Sequence, residues 1–189
     1  MPKKKFRILF RAVVWLYLII KYFCTMSKHL YFYSHKRKGG EFSQFYPCAF
    51  KHEGETFYSA EQWMMASKAR LMGDEKTRRK IMKERSPIKI KSLGRRVTPF
   101  NQRLWEKERF KIVFAGNMLK FNQDDRLRKK LRDTGNKILV EAAPRDKIWG
   151  IGLNIKDAVA GKKWKGQNLL GKVLMKVRKK LAKRQIKNN

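Results

Sequence analysis

The chain has 189 residues, of which 42% are hydrophobic, including twelve Phe and five Trp. This length and composition suit one domain with a hydrophobic core and exclude a basic disordered tail. The formal net charge of +33 attracts polyanions, whether phosphorylated metabolites, nucleic acid or anionic lipid. The two Cys and three His have neither the pattern of a disulfide framework nor the spacing of zinc ligands. We therefore predict no metal and no cofactor.

The first 25 residues differ from the rest of the chain. Three lysines precede an apolar run at residues 12–20, which is too short for a bilayer span of about 20 residues. No small-residue cleavage site follows the run. The segment is a packing or membrane-interfacial helix, a weak signal, or an extension upstream of a domain that starts at Met26, and we favour the first or third. We predict an extension at residues 1–25, a domain at residues 26–189 and a cytoplasmic location.

Residues 58–73 have the pattern of an amphipathic helix. Ser59 is its expected N-cap with Gln62 three residues later, and Gly73 is its expected stop. Trp63 is predicted to point away from the apolar face, together with Ser67 and Arg70. The apolar face itself comprises five residues: Met64, Met65, Ala69, Leu71 and Met72.

Two charged residues of this helix, Glu61 and Lys68, fall in the middle of its apolar face. A carboxylate in such a position is unfavourable unless a partner pairs with it or a reaction uses it. The helix N-terminus also favours an anion, and a lysine can extend along apolar neighbours, so a structural role stays open for both. Asp146, in a loop rich in Gly, is the best candidate for a second carboxylate, although a turn Asp that caps its own backbone fits equally.

The remaining elements alternate between helices and short strands. Pro87 is expected to end one helix and Pro99 to begin the longest one, which carries Trp105 as either a core residue or a stacking wall for a ring. In chain order we predict a strand at 30–33, a hairpin with its bend near Glu53-Gly54, a helix at 76–85, a loop or short strand at 93–98, helices at 99–121 and 126–132, a strand at 137–141, a loop at 143–152 and a basic helix at 167–185.

Taken in order, several segments resemble the NADAR or YbiA-like N-glycosidases. The resemblance extends from Leu30 to about Leu181 and is strongest between Thr134 and Gly152. Its segments are Phe42-Ser43-Gln44-Phe45, Phe57-Tyr58-Ser59-Ala60-Glu61-Gln62, Lys68-Ala69, Leu93-Gly94-Arg95, Trp105, Lys120-Phe121, Thr134-Gly135, Leu139-Val140-Glu141-Ala142, Asp146-Lys147-Ile148-Trp149-Gly150-Ile151-Gly152, Gly166-Gln167-Asn168-Leu169-Leu170-Gly171 and Leu174-Met175-Lys176-Val177-Arg178. Two departures, Gln44 where the family has Asn and Gln62 where it has His, could alter substrate fit.

The resemblance implies an α+β fold, a predominantly helical single domain with a small β-sheet. It also implies hydrolysis of an N-glycosidic bond between ribose and a nitrogen base or amine. The substrates would be phosphoribosyl-aminopyrimidine intermediates of riboflavin synthesis, or ADP-ribose on guanine bases of nucleic acid. Glu61 and Asp146 would be the catalytic pair. The expected substrate-binding residues are Trp105, which would stack on the heterocycle, Lys68 and Arg95, which would hold phosphate or ribose oxygens, and Phe42, Ser43, Trp149 and Gly150.

A binding module is the competing class of protein. Arg126 to Arg132 and the last helix form a basic footprint that could grip nucleic acid nonspecifically. Such a surface has no use for Glu61 close to Asp146, so the two carboxylates favour the enzyme. The expected partners are a small phosphorylated ribosyl substrate and, through the basic surface, nucleic acid.

Overall fold

The computed structural model describes Trp15 and residues 28–188, with side chains through Lys183. Within this part of the chain the strands are β1 (His29–Phe32), β2 (Phe50–His52), β3 (Glu55–Phe57) and β4 (Ile138–Glu141), and a 3-10 turn spans Gly40–Phe42. The helices are α1 (Ala60–Leu71), α2 (Glu75–Lys83), α3 (Pro87–Gly94), α4 (Gln102–Gln123), α5 (Asp125–Arg132), α6 (Ile155–Val159) and α7 (Leu169–Asn188). The predominantly helical α+β fold is thus confirmed. The extension at residues 1–25 lies, except for Trp15, outside the described residues.

The β component consists of two separate pairs of strands rather than one sheet. β1 runs parallel to β4, with His29 opposite Ile138 and Phe32 opposite Glu141. β2 and β3 form the predicted antiparallel hairpin, and its bend contains Gly54 at a φ of 78°. The parallel pair joins the beginning of the domain to its final third.

Helix α1 lies at the centre of the molecule and packs against α2, α3 and α4. Its N-cap is as predicted, because the Ser59 hydroxyl accepts a hydrogen bond from the Gln62 N–H at 3.1 Å. The long helix α4 also packs against α7, and α7 in turn covers β4. Among the described residues, no helix combines the length and the apolar composition needed to cross a bilayer.

The prediction for Trp63 was wrong. Its side chain is buried, lies 5.0 Å from the Phe57 ring and donates a hydrogen bond from Nε1 to the Ile112 carbonyl oxygen at 2.8 Å. A Cβ on Gly116 of α4 would lie 2.2 Å from the Trp63 ring, so only glycine lets α4 approach this closely. Helix α1 is covered on two sides, by α4 and by the hairpin. A prediction from a single apolar face therefore underestimates how much of the helix is buried.

Three helix boundaries also differ from the sequence predictions. Pro87 begins α3 instead of ending a helix, because it occupies the first turn, where its missing N–H is not needed. The predicted loop or short strand at 93–98 was wrong at its start, since α3 continues to Gly94. The long helix begins at Gln102 rather than Pro99, because the Asn101 side chain caps it by accepting the Leu104 N–H at 2.9 Å.

Candidate active site

Glu61 lies in the first turn of α1 and is 2% exposed. Its backbone N–H donates to the Gln44 carbonyl oxygen at 2.9 Å, which attaches the helix start to the preceding loop. The side-chain Oε1 is buried and makes no hydrogen bond among the described residues. Burial raises the pKa of Glu61 to about 7; the positive charge of Lys91 opposes this rise, and the negative charge of Asp146 adds to it.

Glu141 ends β4 and supplies a second unpartnered carboxyl oxygen. Its Oε2 is buried and has no hydrogen-bond partner among the described residues. The backbone is fixed on both sides: its N–H donates to Asn168 Oδ1 at 3.0 Å, and its carbonyl oxygen accepts the Ile151 N–H at 2.9 Å. Burial, followed by the negative charge of Asp146, raises the pKa of Glu141 to about 8. Glu141 belongs to a segment that the resemblance includes, yet sequence reasoning did not select it as a site residue.

Asp146 is both a turn residue and a neighbour of the other two carboxyl groups. Its Oδ1 accepts hydrogen bonds from the backbone N–H groups of Ile148 and Trp149 at 2.9 and 2.8 Å. Its charge also acts on both Glu61 and Glu141, so the three carboxyl groups lie within electrostatic range of one another. The two interpretations of Asp146 that the sequence left open are therefore compatible.

The glycine at position 150 lets the Asp146 loop fold tightly against the end of β4. A Cβ on Gly150 would lie 2.8 Å from the Ala143 Cβ and 2.9 Å from the Glu141 carbonyl oxygen. Trp149 is half-buried and packs against the main core. Both residues thus position Asp146 and Glu141.

Lys68 and two aromatic rings form one wall beside the carboxyl groups. The Lys68 Nζ donates to the Gly94 carbonyl oxygen at 2.8 Å and lies 5.6 Å from the Trp105 ring and 4.4 Å from the Phe100 ring. Burial lowers the pKa of Lys68, and the positive charge of Arg95 lowers it further. Trp105 is mostly buried, whereas Phe100 is 42% exposed and is a wall residue that sequence reasoning missed.

Helix α3 and the residue after it supply two further cations. Lys91, near the end of α3, acts electrostatically on Glu61 and Glu141, and its Nζ lies 5.6 Å from the Phe45 ring. Arg95 is exposed and acts electrostatically on Glu61 and Lys68. Lys91 was not selected from the sequence; the pattern that could have revealed it is its position four residues before Arg95, one helical turn away.

A buried lysine holds the loop before α1 in place through two hydrogen bonds. Lys120 of α4 is 1% exposed, and its Nζ donates to the carbonyl oxygens of Glu41 and Ser43 at 2.7 and 3.0 Å. The Ser43 hydroxyl accepts the Phe45 N–H at 3.2 Å. Phe42 packs in the core, 6.5 Å from the Phe121 ring. Phe42 and Ser43 therefore shape the loop that carries Phe45.

The two positions at which the chain departs from the resembled family have different places. Gln62 is fully buried, and its side chain donates to carbonyl oxygens at the end of α2, those of Ile81 at 3.0 Å and Glu84 at 2.9 Å. Gln44 carries the carbonyl that holds the Glu61 N–H, and its Oε1 accepts from Asn117 at 2.9 Å. Gln62 therefore fastens two helices together, whereas Gln44 directly supports the start of α1.

The assembled site combines acids of two kinds with aromatic and cationic walls. Two carboxyl groups with raised pKa can hold protons near neutral pH, and a third is oriented by backbone N–H groups. Within the described residues no group of three or more His, Cys, Asp or Glu side chains could hold a metal ion. Such an arrangement supports proton transfer to a leaving group and stabilisation of a developing positive charge.

Comparisons with known proteins agree with this description. Residues 31–182 match a family model described as the NADAR domain. The chain is 51% identical over 162 residues to N-glycosidase R617 of Acanthamoeba polyphaga mimivirus, an alignment that covers 80% of this chain and 95% of that protein. It is 32% identical over 151 residues to N-glycosidase YbiA of Escherichia coli, covering 80% and 87%. The solution structure of Escherichia coli YbiA superposes with a TM-score of 0.71 at 30% identity, covering 85% of this chain and 88% of that one.

Proposed function

This chain belongs to the NADAR domain family, and we propose that it is an N-glycosidase that cleaves the bond between ribose C1′ and a nitrogen of a phosphorylated ribosyl compound. N-glycosidase relatives at 51% and 32% identity support the general activity. The site residues support the finer assignments, which concern the carboxyl groups, the substrate phosphate and the ring that stacks.

The reaction needs two different things from carboxyl groups. As the C1′–N bond breaks, the departing nitrogen takes up a proton while the ribose ring gains positive charge. Water then forms the new C1′–O bond and releases its own proton. One acid that is protonated near neutral pH and one ionised carboxylate divide these tasks.

Glu61 is the proposed general acid. Its pKa is about 7, so near neutral pH the carboxyl group is protonated in a large fraction of the molecules and is still acidic enough to transfer its proton. Asp146 is the proposed carboxylate that stabilises the ribosyl cation and accepts the proton of water. Two backbone N–H groups hold its Oδ1, and its Oδ2 makes no hydrogen bond among the described residues. Glu141 lies beside both and completes the acidic group.

The walls of the site fit the two ends of such a substrate. Lys68, Lys91 and Arg95 all act electrostatically on Glu61, and cations so placed pair with phosphate oxygens. Trp105 and Phe100, whose rings lie 5.6 and 4.4 Å from the Lys68 ammonium, present rings for stacking on the base. This excess of cations favours a phosphoribosyl or ADP-ribosyl compound over an uncharged riboside.

The observation that carries the proposal is the pair of buried, unpartnered carboxyl oxygens, Oε1 of Glu61 and Oε2 of Glu141, beside Asp146. Both oxygens are therefore available to form hydrogen bonds with a substrate, since a buried polar atom is stabilised by a hydrogen-bond partner. A protein that bound only phosphates would gain nothing from burying two acids.

The test is to incubate the full-length protein with phosphoribosyl-aminopyrimidines, with an oligonucleotide carrying ADP-ribosylated guanine, and with unphosphorylated ribosides. Mass spectrometry then measures the released base and sugar. We expect release from at least one phosphorylated compound, with a loss of about 10³-fold or more in Glu61→Gln. Glu106→Gln, which removes an exposed carboxylate of α4, is the matched control. Absence of release from every compound, or full activity in Glu61→Gln, would refute the proposal.

A further inference from the structure

A cavity with a volume of about 610 Å³ lies away from the carboxyl groups, between α5, the turn at Gly135 and α7. Its apolar lining comes from the buried Leu131 and Leu181, the partly exposed Met175 and the exposed Ala182. Arg178, Lys179 and Lys183 line it as well. We call this cavity the α5–α7 cleft.

The α5–α7 cleft carries uncompensated positive charge. None of the described residues that line it is acidic. Arg128 and Arg132, which also line it, pair with Asp125 and Asp133, whereas Lys179 and Lys183 have no carboxylate partner within the described chain. Arg178 donates from Nη1 to Thr134 Oγ1 at 2.6 Å and to the Lys137 carbonyl oxygen at 3.0 Å, so neutral atoms fix its guanidinium. Its other nitrogen atoms remain for a ligand, because a guanidinium has five N–H donors.

The cleft and the candidate active site lie at opposite ends of β4. The cleft includes Asn136, which precedes the strand, whereas Glu141 is the last residue of the strand. The four residues of the strand span roughly 10 Å between their first and last Cα atoms, at about 3.3 Å per residue. No residue lines both places, so the cleft is not an extension of the proposed glycosidase site.

We propose that the α5–α7 cleft binds single-stranded nucleic acid, with backbone phosphates on Arg178, Lys179 and Lys183 and an unpaired base in the recess above Leu131 and Met175. The charge of the walls matches phosphates, and the recessed apolar floor matches the face of a base that a duplex would keep stacked.

Charge alone would also suit an anionic membrane, but the rim of the cleft argues for nucleic acid. Peripheral membrane binding uses large apolar side chains that insert between lipids. The exposed large hydrophobic residues of the described chain, among them Ile88, Phe100 and Trp164, all lie outside the cleft lining. The apolar atoms of the cleft are instead recessed, where a base can reach them and a bilayer cannot.

The test compares two charge-reversed variants of the full-length protein. Lys179→Glu/Lys183→Glu alters the cleft, and Lys80→Glu/Lys83→Glu alters the exposed, remote face of α2. Each pair removes two positive charges and adds two negative ones, so both variants have a net charge of +29 instead of +33. Fluorescence anisotropy of labelled 12-nucleotide single-stranded RNA and DNA, of a duplex of the same length and of an abasic strand is measured between 50 and 200 mM salt.

We expect the cleft variant to bind the single strands about tenfold or more weakly at 50 mM salt, with a salt slope reduced by roughly 1.4, because two phosphate contacts are lost. The α2 variant should change the affinity less than about threefold. The wild-type protein should prefer the normal strand to the abasic strand. Both variants should keep glycosidase activity on small substrates.

If the two variants lost equal amounts of oligonucleotide affinity, binding would depend on the basic surface as a whole and not on the cleft, and the proposal would be overturned. Equal affinity of the wild-type protein for the normal strand, the abasic strand and the duplex would overturn the base recess. If the cleft variant instead lost only its binding to vesicles of phosphatidylserine, with unchanged oligonucleotide affinity, the ligand would be a membrane. Failure of the glycosidase assay leaves these outcomes unaffected, because they concern a different surface.

Discussion

Replacing Glu61 with Gln should abolish cleavage and at the same time reduce the loss of stability that the protein undergoes as the pH rises. A carboxyl group whose pKa rises on folding, here from 4.5 to about 7, contributes its full stability below the lower value, where it is protonated in both states. That stability is lost as the pH rises toward the higher value, because the unfolded chain releases the proton first. Gln imitates the protonated acid and does not titrate.

The size of the effect follows from the two pKa values. Linkage gives a loss of stability in the wild-type protein of about 1 kcal/mol at pH 5 and about 3 kcal/mol at pH 8. The buried amide of Gln has an N–H₂ group with no acceptor at the position of Oε1, which costs about 1–3 kcal/mol at every pH. The informative quantity is therefore the change in the difference between variant and wild type, about 2 kcal/mol in favour of Glu61→Gln from pH 5 to pH 8.

Urea-induced unfolding of both proteins at pH 5 and pH 8 measures this change. Glu106→Gln, at an exposed position on α4, is the control and should show no comparable change with pH. If the stability of Glu61→Gln followed that of the wild-type protein in parallel at both pH values, Glu61 would not be a buried, neutral acid, and its role as proton donor would fall with it.

Four further predictions concern the site, the fold and the extension. Because Lys91 lowers the pKa of Glu61, Lys91→Met should raise it and move the alkaline limb of the kcat/KM profile to higher pH; a limb that stays in place would contradict the assignment of the acid. Trp105→Leu should raise KM about tenfold through lost stacking, with thermal stability measured in parallel to exclude unfolding. Lys120→Met should lower the free energy of unfolding by about 2–4 kcal/mol, since two loop carbonyl groups lose a charged donor. Protein that begins at Met26 should fold and keep full activity; an insoluble or inactive product would make residues 1–25 part of the working domain.

Local signals in the sequence were sufficient to predict α1, the helix at the centre of the fold. Ser59 and Gly73 bracket α1 by cap chemistry that depends only on neighbouring residues. Glu61 and Lys68 stood out because a charge on an apolar stripe conflicts with the pattern around it. The hairpin at Gly54 was likewise visible, because a turn residue between alternating segments is a local feature.

The features that could not be predicted depend on what tertiary packing places beside each residue. Glu141 has an unremarkable position at the end of a strand, and only the approach of α1 and the Asp146 loop makes its carboxyl group a buried acid. Trp63 was assigned to the wrong side of α1, since the sequence does not say how many neighbours cover a helix. Lys91 could not be predicted for the same reason, because the acids on which it acts, Glu61 and Glu141, lie in distant segments of the sequence.

The parallel pairing of β1 with β4 has a consequence for how the protein folds. His29 and Ile138 are partners, and closing a loop of roughly 110 residues costs about 4 kcal/mol in chain entropy before any contact compensates it. Such long-range closure slows folding relative to helical proteins with local contacts. Because Glu141 is the last residue of β4 and Asp146 follows the strand, a nascent chain that has emerged only as far as α5 contains Glu61 but neither of the other two acids. During synthesis the site can therefore form only after β4 has emerged and can pair with β1.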